Sequence, residues 1–292
     1  MALLAPLILA LATLAPSTFA QYVLPLRRAV TRVPTRALSG HPAYRHHGRR
    51  LQDEFSVYGD FRALAYFYAD LFIGTPAPQK FTVITDTGST LAAVPCFNCA
   101  NCGAHMDPRY QPAASTTAVA LRCGDCSGYG CNGEQQCTYS QGYAEGSHIS
   151  GVLYRDEVYL GSEGDGLGSA AGSFRTAFTF GCQLHEDGLF LTQEADGILG
   201  LGTGEVGFVS TLWNSGKLRR KLFSVCLSFH GGAMGLGDVE PRLHEAPLAW
   251  ARMSLTGFYQ LHVAGWAMDG ERLPADGFNS PHTILDLSLI HI

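Results

Sequence analysis

Asp86 ends an apolar, β-branched run and opens a turn: residues 81–89 read FTVITDTGS. Val83, Ile84 and Thr85 are residue types of a buried strand, so the carboxylate is delivered at a hydrophobic strand end. Burial disfavours the charged form unless hydroxyls and backbone N–H groups donate to it, and Thr87, Gly88 and Ser89 can supply such donors. An aspartate that merely caps a turn is the plainer reading. A catalytic carboxylate is the sharper one, and the flanking sequence favours it. Residues 282–286, HTILD, repeat the design 200 residues later and end in Asp286. An apolar strand ending twice in aspartate is what a duplicated lobe would leave.

The elements that must position these carboxylates read as strands. Residues 65–73 (AYFYADLFI) form one, 74–76 a Gly-Thr-Pro turn, 81–85 the strand that delivers Asp86, and 91–95 a further apolar segment. Residues 138–160 predict a hairpin whose tip is Tyr143-Ala144-Glu145-Gly146-Ser147, able to act as a mobile lid over a cleft. Residues 162–173 are Gly/Ser-rich and read as a loop; 179–182 begin another strand. In 195–202 (ADGILGLG) regularly placed glycines predict close backbone approach, with Ile198, Leu199 and Gly200 packing against the Asp86 turn. A helix is expected over 208–222 with Ser210 as its cap, although Gly216 interrupts it. Further strands are expected over 223–229, 259–264 and 282–285. The fold class is all-β with short helices.

Nine cysteines occur: Cys96, Cys99, Cys102, Cys123, Cys126, Cys131, Cys137, Cys182 and Cys226. The spacing Cys96-x2-Cys99-x2-Cys102-x2-His105 is that of zinc ligands, yet in an oxidising compartment disulfides are the stronger reading. Residues 96–137 then form a stapled surface insert that buries too little apolar area to hold itself together. Connectivity stays open there, while Cys182 and Cys226, lying apart, are candidates to pair with each other. No Asn-x-Ser/Thr sequon occurs, so N-glycosylation is not expected.

At 292 residues the chain exceeds one average domain, and 46% hydrophobic against 15% charged residues describes a globular protein with a sizeable core. Residues 1–20 are an apolar run ending in small residues, read as a signal peptide in preference to a membrane anchor. Residues 21–50 carry seven arginines (27, 28, 32, 36, 45, 49 and 50) and no acid, leaving 13 basic against 25 acidic residues over 51–292, a net of −12. A nucleic-acid or membrane arm is one reading of that segment. A removable basic prosegment over 21–55, neutralising an acidic body and processed near Arg49-Arg50, fits better.

Taken together YADLFIGTP, FTVITDTGST, YAEGSHISG and ADGILGLG resemble the pepsin-like aspartic proteases over residues 22–286. VPCFNCANCGAHMDPRYQP and FGCQLHEDGLFLTQEADGILGLG are most similar to the cysteine-rich plasmepsin V and nepenthesin-type branch of that family. The resemblance implies a bilobal β fold: an N-terminal lobe over 56–205 with the insert at 96–137 and a flap at 138–160, then a partial second lobe over 206–286. Each lobe contributes one aspartate, Asp86 and Asp286. Thr87, Gly88 and Ser89 support the first, and Tyr143 is the flap tyrosine. The two carboxylates share a proton, one activating a water and the other hydrogen-bonding the scissile carbonyl, with neither metal nor cofactor; aspartic proteases are a standard illustration of that effect. Glu145, beside Gly146 and Ser147 and assisted by Gln193, would favour a basic substrate residue. Expected partners are a polypeptide substrate and the chain's own prosegment. No nucleic acid is expected, a membrane only through an anchor outside this sequence, and the state is a monomer in the secretory pathway.

Two departures from the family pattern stand out. Ala93 occupies the place where many members have a tryptophan that hydrogen-bonds the flap tyrosine. After Asp286 the family continues Ser/Thr-Gly-Thr, whereas this chain reads LSLIHI. One coding sequence for those residues, CTG TCT CTT ATA CAC ATC, matches a common transposon end, so 287–292 are expected to be an adapter scar, with roughly 120 residues of a second lobe absent. The 292 residues alone are then expected to be inactive. Rival readings are a catalytically silent pepsin-fold binding or inhibitor protein, and a metal-binding module centred on residues 96–105.

Overall fold

The computed structural model describes residues 7–11, 53–59, 66–161, 174–228, 231–239, 247–255, 257–263, 265–273 and 283–288. The basic segment 21–52, the Gly/Ser-rich loop 162–173, His282 and residues 289–292 lie outside them.

The strands in chain order are β1 (Leu7–Leu11), β2 (Asp53–Gly59), β3 (Phe67–Ile73), β4 (Gln79–Asp86), β5 (Ala92–Pro95), β6 (Val119–Ala120), β7 (Gly130–Cys131), β8 (Cys137–Gly142) and β9 (His148–Gly161). They continue with β10 (Thr176–Asp187), β11 (Gly197–Gly200), helix α1 (Phe208–Asn214), β12 (Phe223–Ser228) and β13 (Gly231–Leu236). Four short strands follow, β14 (Met253–Leu255), β15 (Tyr259–Leu261), β16 (Trp266–Met268) and β17 (Glu271–Leu273). Among the described residues the architecture is mainly β with one short α-helix, the all-β class that the sequence predicts.

β3 pairs with β4 and again with β9, and the pairings β4–β11–β5–β10–β9 complete a closed ring. Closure removes free edges and lets alternate residues fill one interior. Leu71, Ile73, Phe81, Val83, Phe180 and Leu199 are fully buried there. At about 1.5–3 kcal/mol for each large apolar side chain, these contacts dominate the stability of the barrel. From β3 the sheet extends outward through β2, β13, β12 and β1. Thus Leu7–Leu11, inside the segment read as a signal peptide, lie antiparallel to residues 223–227. β2 likewise runs across the expected prosegment boundary at residue 55.

β4 is the central element: it runs parallel to β11 on one side and antiparallel to β3 on the other, and its last six residues are buried. β11 fits between β4 and β5 because Gly197 and Gly200 carry no Cβ; one at Gly197 would overlap the Ala93 carbonyl, and one at Gly200 the backbone at Thr90. The register sets Leu199 opposite Thr85 and Gly200 opposite Asp86. The close approach expected from ADGILGLG is therefore present.

Three expectations need correction. The helix spans only Phe208–Asn214: Gly207 is its N-cap without a side-chain bond, and Gly216 at φ +70° ends it. Ser210 lies within the helix and donates to the Gly204 carbonyl at 2.8 Å. Second, Cys182 bonds Cys96 and not Cys226; the other bridges are Cys99–Cys102, Cys123–Cys131 and Cys126–Cys137. Cys226, on β12, lies outside these four. With Cys96, Cys99 and Cys102 all bridged, the zinc-like spacing serves as staples. Third, residues 283–285 form no strand; Ile284 makes a single bridge to Gln260.

The insert is anchored as well as stapled. Tyr110 is fully buried, edge-on to Phe81, Tyr154 and Phe180, and donates its hydroxyl to Asp156 Oδ2 at 2.7 Å. Burial and the facing carboxylate push its ionisation well up, so it remains a neutral donor.

Candidate active site

β4 delivers Asp86 at 1% exposure into the turn that follows it. Gly88 N donates to Oδ1 at 2.7 Å, and the Ser89 hydroxyl makes a short bond to Oδ2. Burial is the largest influence on this carboxyl and raises its pKa; the Ser89 bond opposes it, and the neighbouring Asp286 raises it again. The outcome is an acid pushed up to about 6.

Asp286 comes to the same place from 200 residues away. A Cβ on Gly88 would overlap Asp286 Oδ2, so the glycine is what admits the second carboxylate. Ser288 supports Asp286, its backbone N and its hydroxyl both donating to Oδ1, at 2.8 and 2.7 Å. Ser288 lies within the segment expected to be foreign, and here it does for Asp286 what Gly88 and Ser89 do for Asp86.

Thr87 has a different partner from the one expected. Its hydroxyl donates to the Leu285 carbonyl at 2.8 Å and accepts from Leu287 N at 2.9 Å. It therefore does not cradle its neighbour's carboxylate; it ties the turn after β4 to the backbone on both sides of Asp286. No local pattern signals this, because the partner is distant in sequence.

The β8–β9 hairpin carries the predicted tip. Tyr143 N donates to Ser147 O at 2.9 Å, and Gly146 N donates to Tyr143 O at 3.0 Å. Gly146 takes φ +96°, a conformation that glycine adopts without penalty. Ser147 is buried and accepts from Leu189 N at 2.9 Å. The Tyr143 ring packs on Phe190 with centroids 5.2 Å apart. Its buried hydroxyl lies beside Ser89 without forming a well-aligned hydrogen bond among the described residues. Burial first and then the charge of Asp86 drive its ionisation upward. Ala93, at the position where the resemblance implies tryptophan, is buried in the same apolar cluster as Tyr139 and Phe190, with Tyr143 packed against it.

Glu145 is exposed at the hairpin tip. Gln193 sits on the loop that follows β10, its amide donating to the Ala195 carbonyl at 3.2 Å. The amide is thus turned onto its own loop.

Two supports were not anticipated from the sequence. Asp196, just before β11, accepts from Thr82 N at 2.5 Å, Thr82 Oγ1 at 2.7 Å and Asp107 N at 2.8 Å. It locks β4 to β11 and to the insert; an aspartate heading a glycine-rich strand is the only signal it leaves. The second is a His105–Glu186 pair buried between the insert and β10.

"Aspartic protease 5" of Toxoplasma gondii is 36% identical over 212 residues, covering 65% of this chain and 21% of its own. "Plasmepsin V" of Plasmodium falciparum (isolate 3D7) is 35% identical over 195 residues, covering 64% and 32%. "Pepsin A" of Sus scrofa is 30% identical over 221 residues, covering 72% and 51%. Residues 67–238, more than half of the chain, match the family described as "Xylanase inhibitor N-terminal". The chain belongs to the pepsin-like aspartic protease family. This aspartic-protease chain spans between about a fifth and a half of the length of those relatives. The matched residues include the whole Asp86 turn, the hairpin and β11, but not Asp286.

Proposed function

We propose that the full-length protein is an aspartic endopeptidase in which Asp86 and Asp286 form the catalytic dyad beneath the β8–β9 hairpin. The observation that carries the reading is the buried Asp86 carboxylate, held by Gly88 N and Ser89 Oγ, with Asp286 admitted against Gly88. Two close carboxylates in one desolvated site hold a single proton between them. The ionised member takes a proton from a water, whose oxygen attacks the scissile carbonyl carbon. The protonated member hydrogen-bonds the carbonyl oxygen as it gains charge, and the dyad returns a proton to the departing amine. Closure of the hairpin would exclude bulk water and strengthen these interactions.

A polypeptide is the substrate in this reading. Glu145, exposed at the tip, supplies a negative charge for a basic side chain, and Gln193 would have to leave Ala195 to assist it. Four disulfides fit a protein matured in the secretory pathway. The basic segment would act as its prosegment, the mature enzyme as a monomer, and the 292 residues alone as an inactive part.

The description of the matched family as an inhibitor domain favours a second reading, a pepsin-fold binding protein without turnover. The decisive experiment is to recover the coding sequence beyond codon 286, express the full-length protein and measure peptide cleavage at acidic pH. Cleavage that pepstatin blocks and Asp86→Asn abolishes supports the protease. Folded protein that cleaves nothing, with something other than Ser/Thr-Gly after Asp286, supports the binding protein.

A further inference from the structure

His105 is a buried histidine that the proposed chemistry does not use. Its side chain is 3% exposed and that of its partner Glu186 is 0% exposed. Nε2 lies 2.9 Å from Glu186 Oε2, and Nδ1 lies 3.2 Å from the Gln193 carbonyl oxygen. A carbonyl only accepts, so Nδ1 must carry a hydrogen. Glu186 Oε2 accepts from Gly103 N at 2.9 Å and faces Nε2 across 2.9 Å, so with Glu186 as a carboxylate the hydrogen between them sits on Nε2. A ring that donates from both nitrogens is an imidazolium. The charge is also needed electrostatically: Glu186 Oε1 is buried without a hydrogen-bond partner among the described residues, and a buried carboxylate requires a counter-ion.

The segment held this way touches the hairpin. Residues 188–191 form a 3-10 turn whose Leu189 N bonds Ser147 and whose Phe190 packs on Tyr143. A Cβ at Gly188 would crowd Ser147, so the two backbones are in contact. Gln193, in the same segment, bonds Leu189 O through its own N–H. On the other side, Asn101 and Met106 bond Glu186 and Glu194 through backbone groups.

We propose that His105 is a positioning residue: as an imidazolium it clasps the 188–196 segment to the cysteine-rich insert, and through Leu189 and Phe190 it sets the hairpin tip and Tyr143. Losing one proton leaves one of its two acceptors without a donor and frees the clasp. The consequence for catalysis rests on the protease reading above; the clasp itself does not.

The groups facing His105 are Glu186 from β10 and Asp196 from the segment before β11, both favouring the cation. Asp107 follows two residues on in the same irregular stretch of the insert, with Lys80 from β4 and Asp70 from β3 near it. Arg109 is turned to the carbonyls of Cys99 and Cys102, and Glu194 and His185 are exposed. Burial alone would lower the pKa of His105, yet the Glu186 contact outweighs it and the net direction is upward. A raised basic group stabilises in full below its ordinary value of about 6.5, and that contribution is lost as pH climbs through the native value.

The test is hydrogen exchange and ring-nitrogen NMR on the disulfide-intact 292-residue chain, from pH 5.5 to 8.5. Expected are an imidazolium at pH 5.5 and protection of residues 188–195 and 143–147, corrected for intrinsic rates, that falls about tenfold or more as the ring titrates, the scale of one charge-assisted bond. His105→Gln should show low, pH-independent protection there. Glu186→Gln should move the transition to lower pH, which serves as the check if the first variant misfolds. A neutral ring at pH 5.5, with the proton on Glu186, would overturn the proposal, as would protection that ignores the ring's titration. Neither result depends on activity, so an inactive full-length protein with a working clasp refutes the protease reading alone.

Discussion

Replacing Asp86 by asparagine should remove a loss of stability that this protein suffers between acidic and neutral pH. The native pKa of Asp86 is raised from 3.8 to about 6, chiefly by burial. The folded state therefore binds its proton more tightly than the unfolded chain. The contribution of a raised acid is complete below the unfolded value and disappears as pH rises through the native one. At about 1.36 kcal/mol per pKa unit, ionising Asp86 in place withdraws about 3 kcal/mol between pH 4 and pH 7.5. Asparagine matches the protonated form in charge; its one carbonyl oxygen keeps the bond from Ser89 or from Gly88 N but not both, a loss that is the same at every pH. Urea unfolding of the oxidised protein should show the stability of the variant relative to its parent rising by about 2–3 kcal/mol from pH 4.0 to pH 7.5, at an unchanged m-value. The difference between the two curves removes what His105 and other distant groups add to both. A variant that is as unstable relative to its parent at pH 7.5 as at pH 4.0 would refute the claim that Asp86 is ionised at a desolvated, acid-crowded site.

Other substitutions probe the frame around that carboxyl. Thr87→Val removes the donor to Leu285 O and the acceptor for Leu287 N; it should cost about 2–3 kcal/mol and speed amide exchange across 283–288, while Thr87→Ser restores both. Gly197→Ala drives a methyl into the Ala93 carbonyl and should abolish folding, read by circular dichroism. Gly146→Ala meets open space and should cost only about 1–2 kcal/mol for its positive φ. Replacing Cys96 and Cys182 by alanine opens a bridge between residues 86 apart and should lower stability by up to about 4–5 kcal/mol, whereas the pair Cys99 and Cys102, 3 apart, should cost far less by thermal unfolding.

What could be read from the sequence was whatever is written locally. Asp86 was legible because an apolar β-branched run, an acid and a glycine turn lie in nine consecutive residues. The β11 glycines were legible because their spacing has no use except close approach. The helix was overextended because the apolar pattern runs on past Gly216, where the backbone turns left-handed and stops. Disulfide partners were not legible, since pairing is decided by which strands become neighbours: Cys96 directly follows β5, Cys182 lies within β10, and those strands run side by side. His105 was hidden by its own context. Spacing at every third residue reads as a ligand set, yet Cys96 turns to Cys182, Cys99 to Cys102 and His105 to Glu186. Regular spacing shows that residues share a segment; it does not show that they share a target.

The alanine at position 93 connects the local and distant features of the site. With no indole donor there, Tyr143 cannot be steered by a hydrogen bond from β5, and its hydroxyl has no aligned partner among the described residues. Packing must position the ring instead, and Phe190 supplies the face against it. Dispersion and burial hold a ring well but not in one orientation, because they are non-directional. Direction then has to come from the backbone carrying Phe190, which is fixed by Leu189 N on Ser147 and by the Gln193 carbonyl on His105. In this chain the hairpin's setting falls to a loop tied to the cysteine-rich insert. That dependence gives the insert a reason to be rigid: the Cys99–Cys102 bridge and the Gly103–Glu186 bond fix the ground from which His105 reaches.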